Sequence, residues 1–505
     1  MDESKIRDYL SEHIYLLSDE FIVVKKEFHL KNEHGTDGSI DILAKDKYDN
    51  YVIIELKRSN QAARQALHEV TKYVRLLKDN FKIKDSEIRI IIASTEWEEL
   101  IIPYSEYCSK ISLYVEGYKL NTEEGIIRST ELVRPIENTS IRKISRHQCL
   151  FLYSDEQSLE QKCNCVFGKI KNAGIEDFVA FQMSTCKDIM YPYGLVVMFQ
   201  SYNEDYYRKL IHNRYPDLIE ELDKYERDNG YEEYLDYLEQ NIISESINDA
   251  PRDSFEISYP EKLYSAIQEG WEINKIYRFG FFEKDIRTDE WFINEAVGLK
   301  GENGLIFEDI CETKFIEKYK EMNKKLLNYL AFNNELVQLS EMISSDIHML
   351  NESVRLRMWY YNPNDIIWSL AHMAEYNTID GLPMFNVYLD CIERDVQYNY
   401  HGYLVYSGGS IGYDLIKKIY FHNDDFNYFT LKQIGEIASV NSELMELIGL
   451  HFAMSKVEIR AGAKAKEEKI LLDDLHKYSF GDFVNSQQKF IGDALLLFKK
   501  YSNAV

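Results

Sequence analysis

The chain has 505 residues, 45% hydrophobic and 29% charged, with 8 prolines and a formal net charge of -26. That length exceeds one ordinary core and predicts two to four domains at about 100–200 residues each, and the balance is that of a folded protein rather than a disordered one. No apolar run approaches the roughly 18 residues of a membrane helix, and the opening MDESKIRDYL lacks the basic and apolar regions of a signal peptide, so the expected location is the cytoplasm. Seven scattered cysteines suit a reducing compartment better than a disulfide framework. The charge is uneven: residues 1–120 carry 18 Lys+Arg against 22 Asp+Glu, net -4, which leaves -22 for the rest. Contact with a polyanion is therefore expected only in the first segment, where Lys57, Arg58, Arg64, Lys72, Arg75 and Lys78 cluster.

In chain order, residues 4–17 place Ile6, Tyr9, Leu10, Ile14 and Leu17 at helical spacing, and Phe21–Phe28 reads as a strand. Ser39–Lys45 and Tyr51–Lys57 form an expected hairpin about the Asp- and Asn-rich turn at 46–50. Gln61–Lys78 is a helix with Ala63, Leu67, Val70, Val74 and Leu77 on one face, and Arg89–Ala93 is a buried strand. The turn-rich stretch 121–150 is the expected boundary of a domain spanning 1–120. Beyond it, 151–310 reads as mixed α+β, with strands at Phe178–Gln182 and Gly194–Phe199 and a helical region over Tyr206–Leu238. Residues 311–505 read as mainly helical, with helices at Phe315–Leu330, at Pro363–Glu375 capped by Asn362, and at Ser442–Met454.

The hairpin carries the chemistry. Centred on Tyr48, it sets Asp41 opposite Glu55 and Ser39 opposite Lys57, and directly paired carboxylates repel unless a cation lies between them. Glu55 and Lys57 share a strand face inside the apolar run Val52, Ile53, Ile54, Leu56, where buried charges need partners. Oxygen ligands of this kind suit Mg²⁺ or Mn²⁺, which also bind phosphate oxygens. The chemistry expected is phosphodiester hydrolysis, with Lys57 orienting water or stabilising developing charge. The bland alternative is an edge-strand ion pair between Glu55 and Lys57, with Asp41 ending a turn.

Gly38-Ser39-Ile40-Asp41-Ile42-Leu43-Ala44, then Tyr51-Val52-Ile53-Ile54-Glu55-Leu56-Lys57-Arg58, then a helix closing on Lys72-Tyr73-Val74, resembles the PD-(D/E)XK nuclease superfamily, and within it the nuclease domain of NucS-type (DUF91-like) endonucleases. The resemblance covers roughly residues 1–115. It implies an α/β nuclease fold, a mixed sheet flanked by helices, and a metal-dependent endonuclease acting on DNA. Asp41 and Glu55 would be metal ligands, the carbonyl of Leu56 an added ligand, and Lys57 the catalytic lysine. Where the family usually carries Gln, four residues before the Tyr matching Tyr73, this chain has Glu69. Gln65 one turn earlier is the alternative supporting residue, Glu69 is itself a candidate third ligand, and a solvated Glu69–Lys72 pair is the plain reading. Glu12 on the first helix is a weaker candidate acid whose expected place is the surface. Arg58, Arg64 and Lys72 are the expected DNA-phosphate contacts.

The family's N-terminal DNA-binding and dimerisation domain has no counterpart ahead of this nuclease segment. Residues 121–505 resemble no family, and their acidity points to oligomerisation, partner binding or regulation rather than DNA contact. Repair or bacterial antiviral defence are settings suggested by analogy alone. A catalytically inactive DNA- or protein-binding module, and a nuclease acting on RNA, are the alternatives. His147 with Cys149 and Cys163 with Cys165 are too tightly spaced for a usual zinc site. Gly408–Gly412 lacks the residues of a phosphate loop, and the tyrosines of 206–237 are mixed with acids that would repel phosphate.

Overall fold

A computed structural model describes residues 3–58, 60–123, 126–136, 143–214, 247, 249–391, 393–409, 412–419, 437–472 and 478–502; among these, the side chains of 3, 60–65, 143, 214, 413, 419, 437–439, 497–498 and 501–502 are not described. The chain divides into two compact units, Met1–Arg142 and Lys143–Val505. Among the described residues no helix is long and apolar enough to cross a membrane.

The first unit is a six-stranded sheet in sequential order: β1 (Ile22–Leu30), β2 (Gly38–Lys45), β3 (Tyr51–Lys57), β4 (Ile88–Ser94), β5 (Tyr114–Glu123) and β6 (Ile126–Val133). The pairings β1/β2, β2/β3 and β5/β6 are antiparallel, whereas β3/β4 and β4/β5 are parallel. The parallel steps are crossed by α2 (Asn60–Phe81) and α3 (Ile101–Lys110), which parallel neighbours require. One face buries Ile53, Ile90 and Ile92 under Ala66, Val70 and Tyr73 of α2 and Tyr104 of α3. The other buries Val52, Ile54, Leu56 and Ile91 under Ile6 and Leu10 of α1 (Glu3–Glu12). Because both faces are covered, β3 reads as an unbroken apolar run with two charges in it. The stretch 121–150, expected to hold a domain boundary, contains both the β5–β6 hairpin, which carries the sheet on to Val133, and the division between the two units after Arg142. A hairpin turn and an interdomain linker draw on the same Gly, Asn and acidic residues, which is why composition did not separate them.

The second unit contains two antiparallel sheets. In the first, β7 (Lys143–Tyr153), β8 (Phe178–Thr185), β9 (Tyr193–Ser201), β10 (Ser254–Ser258) and β11 (Trp271–Arg278) lie in the order β10-β7-β9-β8-β11. Leu159, Cys163, Val166, Phe167 and Ile170 of α4 (Glu156–Asn172) cover one of its faces, with Cys149 in the same apolar cluster. Cys165 is exposed, so the four candidate zinc ligands do not converge. Of the expected helix at Tyr206–Leu238, only the part within Glu204–Arg214 falls among described residues; part of Gly408–Gly412 lies outside them too.

The expected helices at 311–505 are present as Ile316–Tyr329 and Ile366–Tyr376. They belong to a seven-stranded sheet the pattern reading did not separate: β12 (Ile306–Glu312), β13 (Val354–Tyr361), β14 (Met384–Cys391), β15 (Val396–Tyr406), β16 (Leu450–Arg460), β17 (Lys466–Leu471) and β18 (Tyr478–Ser479). β13 alternates strictly, with Val354, Leu356, Met358 and Tyr360 buried in the main cluster. The helix expected at Ser442–Met454 spans Ile437–Ile448 and ends at Gly449, whose φ of +71° stops it before β16. The helix expected at Pro363 starts at Ile366, capped by Asp365, which accepts from Trp368 N at 3.0 Å. Asn362 is unavailable as cap: its φ is +46° and its amide donates to Ser369 Oγ at 2.8 Å.

Gly402 of β15 lies opposite Phe385 of β14, and a Cβ there would sit 2.0 Å from the Phe385 ring. Phe385 is fully buried and has nowhere to move. Gly402→Ala is expected to cost about 1–3 kcal/mol through overpacking, measured by denaturant unfolding of the full chain.

Candidate active site

Register places the acids. Ile42 pairs with Ile54, Leu43 with Ile53, Ala44 with Val52 and Lys45 with Tyr51, the register of the turn-centred count; the paired ladder ends there, one step short of Asp41 and Glu55. Asp46 holds the turn: its Oδ1 accepts from Tyr48 N at 2.9 Å and Asn50 N at 3.0 Å, and its Oδ2 from Arg89 at 2.9 Å. Asp41 Oδ2 accepts from the N–H of Leu56 at 2.9 Å, tying the carboxylate to β3 one residue past Glu55.

Glu55 is 2% and Lys57 7% exposed, both on the face covered by α2. Lys57 Nζ lies 2.6 Å from Glu55 Oε1 and 2.6 Å from Glu69 Oε2 of α2. Glu69 therefore faces the site and pairs with Lys57, not with Lys72, whose ammonium donates to the carbonyl of Asp37 at 2.8 Å and to Thr36 Oγ1. Glu55 Oε2 is buried with no N–H or hydroxyl donor on it, and the Glu55 carboxyl shares a hydrogen bond with that of Glu69, a meeting of buried acids of the kind a cation relieves.

Electrostatics follow from this crowding. Burial, then the negative charge of Asp41, pushes the Glu55 carboxyl well above its ordinary range, with Lys57 opposing. Burial alone would lower the Lys57 ammonium, but the charges and hydrogen bonds of Glu55 and Glu69 outweigh it and the pKa is raised. Glu69 is half-buried; desolvation would raise it, but hydrogen bonds from Lys57 and Glu55 prevail and lower it.

Of the expected residues, the structure brings together Asp41, Glu55, Lys57 and Glu69, with Leu56 between the two strand residues. Lys72 is engaged with the loop before β2. Arg58 is exposed just past β3, its carbonyl accepting from Thr95 Oγ1 at 2.7 Å, and Glu12 is exposed. The side chains of Arg64 and Gln65 lie outside the described residues. Among the described residues no three metal-ligating side chains converge. The site offers two strand carboxylates and the main chain of Leu56, with Glu69 held by Lys57. One or two carboxylates with several waters is the usual Mg²⁺ arrangement, so the donors fit one such ion.

Two residues escaped the sequence reading. Arg7 of α1 places Nη1 2.9 Å from Glu27 Oε1 and 3.8 Å from Asp41 Oδ1. Glu27 of β1 lies between Lys26, paired with Ile42, and Phe28, paired with Ile40, which sets it opposite Asp41. Centring the β1–β2 connection on His34 would have found Glu27. Arg7, beside the apolar stripe of Ile6 and Leu10, gives no local signal.

Residues 2–99 match the family model described as the endonuclease NucS C-terminal domain, so this segment is similar to a NucS-type nuclease domain. No curated protein matches the chain. Two solved structures are similar over the same share of it. A repair endonuclease from Pyrococcus abyssi is 21% identical, over 24% of this chain and 47% of that one, with a TM-score of 0.18. EndoMS in the EndoMS-dsDNA2 complex is 17% identical, over 24% of this chain and 46% of that one, with a TM-score of 0.19. The chain thus spans about half the length of each.

Glu55's folded pKa lies above its unfolded one, so its contribution to stability is present below the unfolded value and is lost as pH rises through the folded one. In EDTA at pH 8, Glu55→Gln is expected to melt higher than wild type, the gap closing toward about pH 4. A lower melting temperature for the variant at pH 8 would contradict the assignment.

Proposed function

We propose that the first unit is a divalent-metal-dependent endonuclease hydrolysing DNA phosphodiester bonds. The observation carrying this reading is the pair of acids Asp41 and Glu55 where the β2–β3 ladder ends, with a buried Glu55 oxygen that meets no N–H or hydroxyl donor and a charged lysine two residues on. Asp41, Glu55 and the Leu56 carbonyl would hold Mg²⁺ or Mn²⁺. The bound ion supplies charge neutralisation at the phosphate and makes a water acidic enough to attack near neutral pH.

The remaining work falls to the chain's own groups. A lysine ammonium has three N–H donors. Two of those on Lys57 are directed to Glu55 and Glu69, which keep it protonated and fix its position, and the third is left to orient the water or to stabilise charge developing on the phosphate. Glu69 acts through Lys57 as a positioning residue. Burial of the cluster strengthens each of these interactions relative to water. Arg58, Arg64 and Lys72 are the proposed phosphate contacts outside the reacting centre. The second unit, which carries most of the acidity, is proposed to bind protein, either another copy or a partner, rather than nucleic acid.

Incubated with single- and double-stranded DNA and RNA in Mg²⁺, Mn²⁺ or EDTA, the full chain should cut DNA only with metal. Glu55→Ala should abolish cleavage, and Lys57→Ala should retain metal binding while losing about 10²–10³-fold in rate. Wild-type rates for Glu55→Ala would sink the reading, and cleavage of RNA alone would reassign the substrate. A separate measurement concerns the cations: neutralising Arg58, Arg64 or Lys72 should reduce the slope of log affinity against log salt by about 0.7–0.9 per lost contact. An unchanged slope places the DNA track elsewhere.

A further inference from the structure

Three acids lie on three neighbouring strands: Glu27 of β1, Asp41 of β2 and Glu55 of β3. Arg7 joins the first two, and the Asp41 carboxylate takes the N–H of Leu56, the residue after Glu55; like charges gathered in this way are unfavourable without cations among them. Lys57 occupies the Glu55 end, shared with Glu69. Arg7 occupies the other end, its Nη1 between Glu27 and Asp41. Arg7 and Asp41 are mostly buried, with side chains 16% and 15% exposed. The backbone of Glu27 has a φ of +46°, a strained conformation for a non-glycine residue of the kind that gathers at functional sites. The Nε of Arg7 is buried without a hydrogen-bond partner, so its position is not dictated by full satisfaction of its own donors.

Charge counting gives the consequence. With all four acids ionised, Glu27, Asp41, Glu55 and Glu69 against Arg7 and Lys57 leave two negative charges, the amount one divalent ion neutralises. Phosphodiester-cleaving sites can hold two metal ions about 3.5–4 Å apart. Here the position beyond Asp41 is taken by a guanidinium.

We infer that Arg7 stands in place of a second divalent ion, so that the site takes a single ion on the Asp41–Glu55 side. This rests on the proposed role of Asp41 and Glu55 as metal ligands. Arg7 supplies a fixed positive charge at the outer oxygen of Asp41, independent of metal concentration, and Glu27 positions it.

The test counts Mn²⁺ bound to the full chain by calorimetry and by electron paramagnetic resonance, with no nucleic acid present. Wild type should bind one ion, and Arg7→Lys, which keeps the charge, should also bind one. Arg7→Gln should bind two, the second more weakly, and the Arg7→Gln/Glu27→Gln double variant should return to one. Arg7→Met, apolar and of similar length, repeats the test if Gln disturbs the packing of α1. Two ions on wild type, or one on a folded Arg7→Gln whose binding still depends on Glu55, overturns the role of Arg7 alone. No binding by wild type, or binding indifferent to Glu55→Ala, overturns the metal-ligand reading and this inference together.

Discussion

Two carboxylates forced together across a hairpin are the constraint around which the first unit is arranged. Neither can move away. Ile42, Ala44, Val52, Ile54 and Leu56 fill the core under α1, and Ile40, Leu43 and Ile53 fill the core under α2. A one-residue slip would exchange the two sets and drive Glu55 and Lys57 into the face under α1, where apolar side chains offer no partner. The register that buries the most hydrophobic surface is therefore the register that keeps Glu55 and Lys57 on the face under α2.

The rest of the site reads as a response to that crowding of acids. Glu69 lies one helical turn before Tyr73 on α2, on the stripe that packs against β3, and its carboxylate completes the Lys57 ammonium's environment. The cluster is buried enough that Tyr73 is affected as well: desolvation, followed by the charge of Glu55, raises its hydroxyl pKa. At the far end of the same strands Arg89 bridges Asp46 and Glu116 beneath Phe21 and Tyr114. That second buried charge group has a different character. Its carboxylates are matched by a guanidinium and by turn amides, and it locks the hairpin turn rather than offering an unfilled position.

The second unit follows other rules. Among the described residues its sheets are wholly antiparallel, each with helices packed on apolar strand residues, and some of its buried polar groups are internally matched. Tyr400 donates to Asp346 at 2.7 Å, and Lys456 lies 2.6 Å from the same carboxylate. Asn441 Oδ1 accepts from Ile366 N at 2.8 Å. Matched groups of this sort stabilise a scaffold, in contrast to the crowded acids around Glu55.

Local pattern sufficed where one residue type and one period dominate. The hairpin, its register about Tyr48, the amphipathic α2 and the buried strand β4 were legible because their hydrophobic period is set by local geometry. Asp41, Glu55 and Lys57 were legible as charges inside apolar runs. Elsewhere the pattern was ambiguous. The run Leu444 to Met454 is apolar at spacings that suit a helix, and only the left-handed Gly449 splits it into helix and strand. The seven-stranded sheet joins strands far apart in sequence, so no local window sees it. Glu69's choice of Lys57 over Lys72, and the approach of Arg7 to Glu27 and Asp41, depend on where two helices land on opposite faces of one sheet. The sequence by itself determined which charges must be buried and which face they share. Only the tertiary structure decided which distant side chains answer them, because that depends on packing between elements, which leaves no periodic trace in the chain.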